Sequence, residues 1–461
     1  MPVTRRDFLK TGAAAGALLL ARPWTRALGA TLGPESATAA SRTSRLFPGT
    51  TLVHADLHNH TLLSDGDGDP ANAFGLMRAA GLDVAALTDH TTLGINDSEA
   101  CPPGGCSLVG MNEARWVQAK EFADATNVDG SFVAIRGFEW SSPTMGHMNV
   151  WFSERWIDPL HTGGGTTGEG AAQFLHQEVP GADQISGELD ALVRQFPSNG
   201  ASMRAFYEWL RQPASTPGIG GGLDGIAGFN HPGREQGRFG YFAPDTRLAG
   251  QVVSLEMMNR GEDYIYEGTD EGFPSPMNDC LNKGWKVGIL GVTDEHGTDW
   301  GTPLGKGRGG IYVDTLTRNG VKDAMKARRF FATRERGLRI DAAANGARMG
   351  SEMQHSSGPV HFELDVDGGS DWYGRSLSVQ VLRPGTIMPT VAHVENVVVP
   401  VSEGAGAEPV ISFDLPLSAA DGGWVVLRVS DPTRNPDGRA DATWRTFGHA
   451  IAYTSPFFFQ P

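Results

Sequence analysis

His54-Ala55-Asp56-Leu57-His58-Asn59-His60-Thr61, followed closely by Ser64-Asp65-Gly66, is the stretch from which the fold can be read. Residues 52–56 have the composition of a strand that leads into these polar residues. Side chains alternate along a strand, so His58 and His60 project from one face. Two imidazoles on one face at a strand's end are the start of a metal site. Asp65 and Asp67, both beside glycine, sit where a loop folds back over an ion, and Asp65 is the favoured ligand. His54 shares the face of Asp56, His58 and His60, and its role stays open.

The same arrangement recurs along the chain. Thr88-Asp89-His90 closes the apolar run 83–87. Gly137-Phe138-Glu139 closes 131–138, with Gly146-His147 shortly after. Asn230-His231-Pro232 closes 225–229, and Thr293-Asp294-Glu295-His296 closes 287–292. A lone histidine at a strand end is more often structural than a ligand. Five successive predicted strands that end in histidine or acid, always on the carboxyl side, are not required by packing. Active sites of α/β barrels lie on that side. A carboxylate bridges two cations and a histidine does not, so Glu139 is the natural bridge. Glu139, Asp294 and His296 are the candidate catalytic residues. His161, His176, His355, His361, His393 and His449 show no such pattern and read as structural or surface groups.

Between these motifs the chain alternates strand-like and helix-like segments, with helices expected at 71–80, 112–126, 187–195, 203–211 and 321–329 and further strands at 148–152 and 252–256. The alternation argues for a parallel sheet, and so many units in one domain argue for a barrel. After about residue 334 short alternating runs (360–366, 377–382, 397–401, 424–429) lie between turn residues, the texture of a small antiparallel β-sandwich. The Gly/Thr tract at 162–170 reads as an insertion. The division expected is a signal at 1–39, a linker at 40–50, a catalytic barrel at 51–334 and a β-sandwich at 335–461.

The signal reading rests on Thr4-Arg5-Arg6-Asp7-Phe8-Leu9-Lys10, a twin-arginine signature followed by an apolar stretch too short to span a bilayer. Twin-arginine export carries folded proteins, so the export machinery is an expected partner and the destination is periplasmic or secreted. No later stretch is long and apolar enough for a membrane helix. The net charge is -15, and losing residues 1–39 removes five bases (Arg5, Arg6, Lys10, Arg22, Arg26) and two acids (Asp7, Glu35), which leaves -18. Such an acidic chain is a poor binder of phosphate backbones, so no nucleic-acid partner is expected. Cys101 and Cys106 are placed to close a small disulfide loop in an oxidising compartment, and Cys280 reads as a small buried hydrophobe.

In combination and in order, these motifs over residues 52–333 resemble those of the polymerase-and-histidinol-phosphatase (PHP) metal-dependent phosphoesterases. The resemblance implies a distorted (β/α)7 barrel with two or three divalent ions (Mn, Zn or Fe). It implies one ion on His58, His60, Glu139 and Asp294, a second on Glu139, His147 and His231, and a third on Asp65, His90 and His296. Asp65 departs from the family pattern, which has histidine there, and makes the third donor set harder. The function implied is hydrolysis of a small phosphate ester by metal-activated hydroxide. Arg234, Arg260, Lys306 and Arg308 are the candidate phosphate contacts. The alternative is a carboxylic ester or carbamate hydrolase on the same metals, for which Trp140, Met145, Phe239, Tyr241, Met257 and Met258 offer an apolar pocket or simply core. A non-catalytic binding protein whose β-domain grips carbohydrate is the third reading.

Overall fold

The computed structural model describes residues 40–91, 110–142, 145–159, 199–233, 238–301, 306–400 and 410–460, all within the contact unit Ala39–Pro461. The 187–195 helix, the Gly/Thr tract and the Cys101–Cys106 pair lie outside the described residues. Strands β1 (Thr51–Asp56), β2 (Val84–Leu87), β3 (Val133–Ser142), β4 (Gly146–Trp151), β5 (Ile226–Phe229), β6 (Val252–Asn259), β7 (Glu262–Asp263), β8 (Gly288–Val292), β9 (Arg308–Val313) and β10 (Phe330–Thr333) make the first part. Helices α1 (Pro70–Ala79), α2 (Glu113–Thr126), α3 (Asn199–Leu210), α4 (Pro276–Asn282) and α5 (Arg318–Lys326) lie between them.

Helix starts follow local chemistry. The Asp69 side chain accepts from Ala71 N ahead of Pro70, Asn112 accepts from Arg115 N, and Thr317 accepts from Gly320 N. Each of these satisfies a backbone donor that the helix itself leaves free. The buried faces of α1 and α2 pack over β2 and β3 through Phe74, Met77, Leu87, Ala123 and Phe132.

The architecture is mixed α/β with one large sheet and few helices. β1, β2 and β3 pair in parallel, as do β5, β6 and β8. β4 runs antiparallel to both β3 and β5, and β9 runs antiparallel to β1 and β10. The expectation of a parallel sheet is therefore corrected. Only three residues join β3 to β4, which suffices for a hairpin and is far too few for a crossover. β8 pairs with β6 yet returns to the other end of this strand order: Thr293 donates to the Asp56 carboxylate through its N–H and its hydroxyl, and Asn59 bridges to Glu295. The sheet thus curls, and the carboxyl ends of β1, β2, β3, β5 and β8 face one mouth.

The remaining strands are β11 (Arg339–Ala344), β12 (Ala347–Arg348), β13 (Glu352–Gln354), β14 (Ser357–Asp367), β15 (Ser376–Arg383), β16 (Thr390–Val398), β17 (Ile411–Ser418), β18 (Trp424–Asp431), β19 (His449–Thr454) and β20 (Phe457–Gln460), with the short helix α6 (Ala442–Arg445) before β19. β12, β11, β14 and β17 form a separate four-stranded sheet, whereas β19 continues the large sheet from β10 and brings β18, β20, β13, β15 and β16 with it. Leu364, Val379, Leu427 and Phe457 from both sheets share a core with Leu52, Tyr312 and Phe331 of the first part.

Candidate metal centre

The strand ends bring His58, His60, Asp65, His90, Glu139, His147, His231, Asp294 and His296 together. They fall into four overlapping groups, each with ligand atoms within 4.8 Å of one another: His60, Asp65, His90 and His296; His58, His60 and Asp294; His58, Glu139 and His231; His90, Glu139 and His147. Glu139 sits at the middle. Its Oε1 lies 3.3 Å from His58 Nε2, 3.2 Å from His147 Nδ1 and 3.1 Å from His231 Nε2, and its Oε2 lies 2.7 Å from His90 Nδ1. Asp294 Oδ1 is 3.4 Å from His58 Nε2 and 3.3 Å from His60 Nε2. Asp65 Oδ2 is 3.5 Å from His90 Nε2 and 3.4 Å from His296 Nε2.

The β3–β4 hairpin explains why His147 follows Glu139 so closely. Ser141 pairs with His147 across the ladder and Glu139 with Asn149, so the turn folds His147 back over the carboxylate. Three residues at the mouth hold left-handed backbone: His231 at φ 22°, Arg260 at φ 52° and Asp294 at φ 49°. That region is costly for residues with a Cβ and is held only where surrounding contacts fix it.

Burial and the mutual attraction of imidazoles and carboxylates set the charges in the cluster. Burial works against charge on Glu139, yet His90, His147 and His58 hold its carboxyl well below the usual range. Asp294 is held down in the same way by His58, His60 and His231. Burial together with His296 and His90 takes His60 down to about 3, which leaves it a neutral donor. For His58 burial is outweighed by Glu256, Asp294 and Glu139, and its pKa rises well above the ordinary value. His60 Nδ1 is buried without a hydrogen-bond partner among the described residues. Buried polar atoms are nearly always satisfied, so this one is consistent with room for an ion. Six imidazoles and three carboxylates are a nitrogen–oxygen donor set suited to Mn, Zn or Fe.

Neighbouring groups position these side chains. Asp89 accepts from Thr61 N, Thr61 Oγ1 and Ser64 Oγ, which fixes the loop that carries Asp65. Asn230 Nδ2 donates to Glu139 Oε1 at 2.7 Å. Glu256 was not singled out from the sequence: it contacts His58 and the His231 backbone from inside β6. A lone acid within the largely apolar run Val252–Asn259 is the signal available.

The proposed substrate cations divide. Arg260 Nη2 lies 3.2 Å from Asp294 Oδ2 and 3.1 Å from His296 Nδ1, with its side chain 40% exposed at the mouth. Lys306 is paired with Glu295. Arg308 is buried in β9 and interacts electrostatically with Asp56. Arg234 lies outside the described residues. Of the apolar set, Trp140, Phe239, Met257 and Met258 are core, whereas Tyr241 is 62% exposed. His54 belongs to none of the ligand groups.

A curled mixed sheet thus carries, at its strand ends, clustered histidines and carboxylates that could hold metal ions. Residues 2–21 match the twin-arginine translocation pathway signal sequence family. Three of the solved structures to which the chain is similar follow. One is a two-domain protein from Bacteroides vulgatus containing a PHP-like metal-dependent phosphoesterase assigned by prediction, at 14% identity, covering 92% of this chain and 99% of that one, with a TM-score of 0.40. A second, from Bifidobacterium adolescentis and provisionally named a metal-dependent phosphoesterase, has 17% identity, 54% and 89% coverage and a TM-score of 0.27. The third is an amidohydrolase from Chromobacterium violaceum with bound sulfate and no metal, at 16% identity, 53% and 87% coverage and a TM-score of 0.27. No curated protein matches the chain. Among the described residues no helix is long and apolar enough to cross a membrane.

Proposed function

We propose that this chain is an exported metal-dependent hydrolase, most simply a phosphoesterase, acting in the periplasm or outside the cell on a small ester. We also propose that residues 51–334 are a distorted (β/α)7 barrel of PHP type and residues 335–461 a β-sandwich. The observation that carries the reading is Glu139, buried and central to overlapping ligand groups, because a bridging carboxylate is what a multinuclear hydrolytic centre needs and a storage site does not. Two or three divalent ions (Mn, Zn or Fe), which His58, His60, Asp65, His90, Glu139, His147, His231, Asp294 and His296 would hold, would supply Lewis acidity and activate water at neutral pH. The chain's part is to hold the donor atoms, to keep Glu139 and Asp294 ionised, and to present Arg260 to an anionic group at the mouth.

The test is hydrolysis of p-nitrophenyl phosphate, bis-p-nitrophenyl phosphate, and p-nitrophenyl and 1-naphthyl carboxylic esters and carbamates by metal-loaded protein. Phosphoester turnover that Glu139→Ala abolishes together with bound metal is expected. Turnover of carbonyl substrates alone would transfer the enzyme to the ester or carbamate class. Arg260→Ala should raise KM for the phosphoester about tenfold or more, the loss of one charge-assisted contact. An unchanged KM would remove Arg260 from the substrate site.

A further inference from the structure

Glu256 takes no part in the ligand groups, yet it touches two of their members. It lies on β6, buried, with its carboxylate below the mouth. His58 Nδ1 donates to Glu256 Oε1 at 2.8 Å. The other oxygen accepts from His231 N at 2.8 Å and from Asn259 Nδ2 at 2.9 Å. A carboxylate only accepts, so the proton of His58 is on Nδ1 and the lone pair of a neutral ring is on Nε2. Nε2 is the atom that faces His60, Glu139 and Asp294. The same carboxylate ties down the N–H of His231, whose backbone is left-handed.

The outer ligands have weaker braces. His90 Nδ1 lies 2.5 Å from Ser141 Oγ and 2.7 Å from the Glu139 carboxylate, itself one of the candidate ligands, and His296 Nδ1 lies 3.0 Å from the Asp294 carbonyl and 3.1 Å from Arg260 Nη2, so among the described residues neither has a carboxylate from outside the ligand groups behind it. His60 Nδ1 has no hydrogen bond among the described residues. Exposure is graded in the same direction. Side chains of His58, Glu139 and His231 are 0–4% exposed, whereas in the other group only His60 is fully buried, and His90, Asp65 and His296 are 11%, 18% and 28% exposed. A carboxylate behind an imidazole fixes its tautomer and raises its basicity, which a neutral oxygen does less.

We infer that Glu256 is a positioning residue that makes the centre unequal: the group His58, Glu139 and His231 loads first and holds its ion tightly, and the group His60, Asp65, His90 and His296 exchanges. The inference rests on the metal-centre reading proposed above. In Glu256→Gln one oxygen becomes an amide, so either His58 Nδ1–H or His231 N–H meets a donor.

The experiment is zinc titration of metal-free wild type and Glu256→Gln against chelators of graded affinity, with zinc per chain counted by mass spectrometry and the melting temperature recorded with and without zinc. Wild type should load in two phases. Glu256→Gln should weaken the tight phase by about 10- to 100-fold and leave the weak phase in place. A purely structural role would lower the metal-free melting temperature and leave the affinities alone, which would overturn the inference. A wild type that binds no zinc would overturn the metal centre itself, and this inference with it. Should the variant not fold, long-range nitrogen-15 NMR of the histidine rings in zinc-loaded wild type decides the matter. His58 should be the Nδ1–H tautomer with Nε2 on zinc, and the opposite tautomer would refute the brace.

Discussion

Two-residue spacing picks out His58 with His60 and Asp294 with His296, yet β1 ends at Asp56, β8 ends at Val292 and Asp294 is left-handed at φ 49°, so all four lie beyond the strands whose alternation that reading assumes. The cations could not be sorted that way. Lys306, Arg308 and Arg260 are equally basic on paper, and only the fold shows that one pairs with Glu295, one is buried in β9 and one stands at the mouth. Glu256 was hidden for a related reason: its role is set by neighbours from two other segments. His54 illustrates what the face argument leaves open. Burial takes its imidazole down to about 3, with Arg42, Arg308 and Arg336 adding to the effect. An unfolded histidine takes up its proton near pH 6.5. Between those values the unfolded chain binds a proton that the folded chain refuses, so stability falls as pH drops from about 6.5 towards 3, and the contribution vanishes above 6.5. From pH 7 to 5 wild type should lose about 2 kcal/mol more than His54→Leu, measured by urea unfolding at both values. Equal losses would show that His54 is protonated in the fold.

Strand positions were legible from apolar runs bounded by turn residues, while strand directions were not. Repetition of strand and helix points to crossovers, and the β3–β4 hairpin and the return of β9 break that rule. Nothing in the local sequence records which partner a strand finds. Close approaches are a further layer. A Cβ on Gly291 of β8 would meet the Arg308 carbonyl oxygen at 2.5 Å, so β8 and β9 touch there through bare backbone. Backbone cannot give way as a flexible side chain does. Gly291→Ala should therefore cost about 1–3 kcal/mol, seen as a lower urea midpoint at unchanged slope. An unaltered midpoint would mean that the two strands stand further apart.

Across the molecule, the C-terminal strands are tied to the segment that follows β6. Arg428 of β18, fully buried, donates to Gln380 Oε1 and Tyr453 Oη, and Tyr453 donates to the Asp263 carboxylate just beyond Arg260. Arg428→Leu removes a buried charge and leaves Asp263 with a poorer environment. A loss of about 3 kcal/mol or more is expected in thermal or urea unfolding, and a cost under about 1 kcal/mol would show that the network is dispensable.

The long ladders bear also on synthesis and export. Thr51 pairs with Val313, and Thr333 with Ala452, so β1 waits for most of the chain and β10 for nearly all of what remains. A topology so dominated by distant partners forms slowly, and its unpaired edges stay open meanwhile. A chain threaded outward as it is made would have to find these partners on the far side. The twin-arginine leader that residues 2–21 match is of the kind that sends out finished proteins, which removes that problem.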